Sequence, residues 1–148
     1  MRRLILTTAA AAILASSASA QLPGLRRRTA PPPQPVLVGI DALRADFLAK
    51  TGADTIFFGN DSVVLSAPAR ATLAAQAQWL RQHAVVIRIE GHGDSNDTRD
   101  HALAVGARRA EEVRQFLVLM GVPAAQLTAV SMGKERPGLP RAQTILVR

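Results

Sequence analysis

Apolar and polar positions divide the chain into segments of different period. Residues 55–58 are β-branched and aromatic and run into Gly59-Asn60-Asp61, which is turn chemistry, so a first strand is predicted there, inside a sheet. Ser66 then offers a helix N-cap and Pro68 suits the first turn, and Ala69, Leu73, Ala77 and Leu80 recur on one face as far as His83. That spacing predicts a long helix. Residues 85–90 read as a second strand, and residues 91–97 (GHGDSND) form a polar loop of small residues where chemistry would sit. A second long helix is predicted from Arg99 to Met120, with Leu103, Ala110, Val113, Leu117 and Met120 as its apolar stripe and Gly121 as its stop. Residues 127–131 and 144–147 read as two further strands. Ahead of them all, Val38, Leu43, Phe47 and Leu48 fall at roughly helical spacing within residues 37–51, a short leading helix ended near Gly52. The order β-α-β-α-β-β defines an α/β domain with its helices on one sheet face.

The N-terminal third carries no such pattern. Residues 1–20 combine two arginines, an apolar run from Leu4 to Ala15 and a small-residue end, Ala18-Ser19-Ala20, which together predict a Sec-type signal peptide. The apolar run is well short of the ~20 residues that span a bilayer, so no transmembrane segment is expected after cleavage. Residues 21–36 are rich in arginine and proline and have nothing to bury, hence an extended linker. With 148 residues in all, residues 37–148 can form one domain, its core at 54–148. The formal charge of +7 includes Arg2, Arg3, Arg26, Arg27 and Arg28, and falls to +2 without them. The basicity therefore belongs to the tail and suits an anionic surface, while export argues against nucleic acid. The sequence contains no cysteine, which closes disulfide and thiolate chemistry and leaves no residue to carry a lipid anchor.

Few residues suggest catalysis. His92, Asp94 and His101 are types that ligate zinc, but their spacing matches no compact metal motif, and His92 at a strand end suits a hydrogen bond within the turn. No metal and no cofactor is expected. Ser131 in Ala129-Val130-Ser131-Met132-Gly133 departs from a nucleophile elbow by one residue, but the proline-rich residues 134–140 cannot form the helix an elbow must open. No enzyme is expected. Asp94 by itself also suits a helix or turn cap, Arg109 a solvated helix face, and Trp79 a half-buried core position.

Three blocks carry a family likeness: Ile89-Glu90-Gly91-His92-Gly93-Asp94, then residues 106–113 (GARRAEEV), then residues 131–137 (SMGKERP). In that order and spacing they resemble the OmpA-like domain, especially that of peptidoglycan-associated lipoproteins, from about Asp54 to the C-terminus. The resemblance implies a sandwich of helices on one face of a mixed four-stranded sheet. It also implies a non-catalytic module of the Gram-negative periplasm, associated with the outer membrane, that binds the diaminopimelate of peptidoglycan. The implied contacts are Asp94 for the ligand's ammonium and Arg109 for its carboxylate, with His92, Gly93, Ser95 and Arg108 in support. This chain departs from the pattern at Asp97, where the family has glycine, and at Ala102, where it has asparagine. Arg141-Ala142-Gln143 stands for the family's N-R-R, after a shorter connection from Pro137. The alternative is a divergent domain that has lost wall binding and serves as an interaction module for envelope proteins.

Overall fold

The computed structural model describes residues 39–147. The signal peptide, the linker and Val38 lie outside that range. The leading helix is present as α1 (Ile40–Thr51), closed by Gly52 in the left-handed region at φ 79°. Phe47 of α1 meets Trp79 edge to face at 5.2 Å, and the indole Nε1 donates to Asp46 Oδ2 at 2.7 Å. Trp79 is thus more deeply buried than expected, because α1 covers it. The helix α2 (Ala67–Gln82) starts where predicted, with Ser66 Oγ accepting from the Ala69 N–H. The helix α3 (Arg99–Leu119) is capped by Thr98, whose hydroxyl accepts from the His101 N–H.

Four strands make one sheet: β1 (Thr55–Phe57), β2 (Ile87–His92), β3 (Leu127–Gly133) and β4 (Arg141–Leu146), in the spatial order β1-β4-β2-β3. β2 and β3 run parallel, with Ile87 opposite Leu127, and β4 is antiparallel to both β1 and β2. β1 is consequently an edge strand rather than an interior one, since the last strand inserts between it and β2. Its short length is typical of an edge. β4 begins three residues earlier than the predicted 144–147, because Arg141, Ala142 and Gln143 all pair with both neighbours.

The core lies between the sheet and the α2–α3 layer, where Leu73, Ala77, Leu80, Ile87, Ile89, Val113, Leu117 and Leu146 are buried. One polar side chain is built into it: Gln76 Nε2 donates to the Ala53 carbonyl at 2.8 Å while its Oε1 accepts from Thr144 Oγ1 at 3.0 Å. Both ends of the amide are satisfied, so its burial costs little.

The face that α3 turns to the sheet differs from the predicted stripe. Leu103 and Met120 are exposed, and the buried positions are Ala102, Val105, Gly106, Arg109, Ala110, Val113 and Leu117. Small residues decide this face. A Cβ on Gly91 would overlap the Gly106 carbonyl and come within 2.8 Å of the Ala110 nitrogen, and one on Gly93 would meet Ala102 Cα at 2.6 Å. Backbone therefore rests on backbone where α3 crosses β2, and Arg109, one turn beyond Gly106, is carried inside.

Candidate functional site

The C-terminal end of β2, the loop after it, the start of α3 and the loop after β1 converge on Arg109. Its side chain has no exposed surface. Nε donates to Ser62 O at 2.9 Å, one terminal nitrogen to His92 O at 2.8 Å and the other to Gly59 O at 3.0 Å. The guanidinium carbon stands 5.5 Å from the centre of the Phe58 ring. Burial pushes the Arg109 pKa down, and the carboxylates of Asp94, Asp61 and Asp97 oppose that shift. An arginine is the side chain suited to the place, since its planar fork reaches three carbonyls at once and keeps its charge.

Asp94 stands beside it, with Oδ2 3.8 Å from the Arg109 terminal nitrogen that also donates to Gly59. That separation is an ion pair without a hydrogen bond. The Asp94 side chain is 18% exposed, so it forms the solvent side of the pair. Asp94 does not cap α3, because Thr98 does, and Arg109 is not on a solvated face. The two residues named from sequence thus lie together, with the arginine beneath and the carboxylate above.

The supporting residues divide. Gly93 ties the loop down, its N–H donating to Gly133 O at 2.8 Å. Ser95 is exposed in the turn, and Arg108 is exposed on α3 beside Val63, Glu112 and Gln115. His92 contributes its carbonyl to Arg109, while its fully buried imidazole has no partner on either nitrogen. The expected hydrogen bond of the His92 ring within the turn is therefore absent, and the main chain does that work. Burial, then the charges of Arg141 and Arg136, lower the His92 pKa, with Glu90 opposing. The imidazole is neutral in the fold, so it contributes stability that is present above its unfolded value of 6.5 and lost as pH falls below that. The thermal midpoint is expected to drop between pH 7 and pH 5 by more in wild type than in His92→Asn; equal drops would show that His92 is not responsible.

The Asp97 carbonyl accepts from Lys134 Nζ at 2.7 Å, and Ala102 is buried under Gly93. Ala142 faces the core and Gln143 Nε2 donates to Asp54 Oδ2 at 3.0 Å, so neither reaches Asp94. Sequence reasoning missed Asp61, whose N–H donates to Asp94 Oδ2 at 3.1 Å, and considered His101 only as a metal ligand. His101 Nε2 instead lies 3.0 Å from Asp61 Oδ1, and no group of three among the described residues is arranged to hold a metal ion. Among the described residues no helix is long and apolar enough to cross a membrane.

The sequence profile of the OmpA family matches residues 57–144, from the last residue of β1 through most of β4, and takes in every residue of this site. The chain belongs to the OmpA family. It is 50% identical over 93 residues to the peptidoglycan-associated lipoprotein of Mesorhizobium japonicum, a match covering 62% of this chain and 55% of that one. With the protein of the same name from Pseudomonas aeruginosa it shares 40% over 98 residues, covering 66% and 58%. The matches thus span little more than half the length of these relatives. The crystal structure of the peptidoglycan-associated lipoprotein from Burkholderia pseudomallei superposes with a TM-score of 0.62 at 35% identity, covering 65% of this chain and 92% of that one. The C-terminal domain of Helicobacter pylori MotB, at 20% identity and a TM-score of 0.58, shares the fold.

Proposed function

We propose that this OmpA-family domain is a non-catalytic wall-binding module of the periplasm, taking peptidoglycan through the diaminopimelate of its peptide stem. The observation that carries the reading is the Asp94–Arg109 pair: an accessible carboxylate over a buried guanidinium, 3.8 Å apart and not hydrogen-bonded to each other. The free end of diaminopimelate bears an ammonium and a carboxylate on one carbon. Asp94 takes the ammonium, and for the ligand carboxylate to take the Arg109 N–H edge that faces Asp94, which has no exposed surface in the ligand-free fold, the Asp94 loop must shift to uncover it. The matched relatives carry peptidoglycan in their names and contain the same domain, which supports the same ligand here.

The test is co-sedimentation of the protein with purified sacculi. Wild type is expected to pellet at low and high salt, and Asp94→Ala to lose at least about tenfold in affinity, the worth of one charge-assisted hydrogen bond, while keeping its unfolding midpoint. Binding that disappears with salt and ignores Asp94→Ala would assign the contact to the arginine-rich linker. No binding at all would favour the protein-interaction reading.

A further inference from the structure

Asp61 has the single positive φ among the described non-glycine residues, 49°. A side chain other than glycine reaches that region at a cost of roughly 1–2 kcal/mol, and aspartate is among the few that tolerate it as single residues. It stays there only when its surroundings hold it. Two contacts hold it. The Asp61 N–H donates to Asp94 Oδ2 at 3.1 Å, and its carboxylate Oδ1 meets His101 Nε2 at 3.0 Å. His101 Nε2 also lies 3.7 Å from Asp97 Oδ2, beyond hydrogen-bond reach, so the imidazole in the first turn of α3 holds the loop after β1 and stands beside the loop after β2.

We infer that Asp61 and His101 are positioning residues of the wall-binding site, clasping residues 59–62 so that Asp94 is presented with one oxygen committed and the other open to the ligand's ammonium. The inference rests on the proposed function above. Its force comes from the segment's double role. Gly59 and Ser62 supply carbonyls to Arg109, and Asp61 between them supplies an N–H to Asp94. Displacing this loop would misplace both charges of the pair at once. The clasp is not a stability device, since Asp61 and His101 are 72% and 49% exposed and exposed pairs contribute little to folding. What it supplies is orientation, which a site needs to within about half an ångström.

The test uses four variants of the full chain. His101→Leu removes the donor to Asp61 and His101→Gln keeps an amide N–H there; Asp61→Ala removes the acceptor, whereas Asp61→Asn keeps one and tolerates the same backbone conformation. With sacculi as the probe, His101→Leu and Asp61→Ala are expected to bind roughly threefold to fivefold more weakly, the most that an exposed pair can contribute. His101→Gln and Asp61→Asn should largely restore binding, with the urea midpoint unchanged in these two and in His101→Leu; Asp61→Ala also puts an alanine at φ 49° and should unfold somewhat earlier, so the His101 pair carries the test. In the ligand-free protein, the Asp61 amide resonance should move in Asp94→Ala and in His101→Leu and stay in His101→Gln. Equal binding by all four variants, an Asp61 resonance indifferent to His101→Leu, or binding losses that track lost stability would overturn the clasp. If wild type fails to bind sacculi, the wall-binding reading falls by itself, and the Asp61 resonance still decides whether the clasp exists.

Discussion

Arg109→Ala is expected to cost about 3–5 kcal/mol of folding stability, the range seen when one partner of a buried ionic group is removed. For a domain whose whole stability is of order 5–15 kcal/mol, that brings it to the margin of folding. The reason is specific to this side chain. Truncation leaves the carbonyls of Gly59, Ser62 and His92 without their donors, and it leaves Asp94 facing Asp61 and Asp97 with no guanidinium to balance them. Arg109→Lys should not rescue it, since an ammonium on a flexible stem cannot serve three carbonyls arranged around a planar fork. Urea denaturation of the two variants against Asp94→Ala checks this. Asp94→Ala should unfold close to wild type and Arg109→Ala far below it; similar midpoints would mean that Arg109 does not anchor the loops. The contrast separates two ways of losing wall binding, one by removing a contact and the other by dissolving the site.

Gly91→Ala should be comparably damaging, about 3 kcal/mol or more, at the upper end for overpacking in a core. The added methyl would run into the Gly106 carbonyl and the Ala110 nitrogen, which are helix backbone and cannot turn aside as a side chain would. α3 would have to lift from β2, carrying Arg109 away from His92 O. Gly39→Ala is the control, because nothing among the described residues lies within 4 Å of a Cβ at that position; as the N-cap of α1 it should lower the midpoint only slightly. Urea midpoints of the two variants decide the matter. A tolerated Gly91→Ala would show that the helix and strand do not approach so closely.

These two expectations come from one feature, the backbone contact between α3 and β2. It places a guanidinium with no solvent exposure directly under the loop that carries Asp94. The same contact removes Leu103 from the core, although a leucine at that spacing looks like part of an apolar stripe. Tight crossing favours glycine and alanine, so the larger residue is turned outward.

The amino-acid sequence by itself determined the elements and their order, because amphipathic spacing, the Ser66 cap and the turn residues are local signals that read the same in any fold. It also named Asp94 and Arg109, since the family's blocks place them. The tertiary structure alone decided the rest. β1 became an edge because β4, some 85 residues later, inserts beside it, a pairing that no local period encodes. Arg109 went inside rather than out because Gly91 and Gly106 let the helix settle onto the strand, and three carbonyls were waiting there, two from the loop after β1 and one from the end of β2. Asp61 and His101 joined the site only through contacts spanning 33 and 40 residues, which the spacing of residues along the chain cannot express.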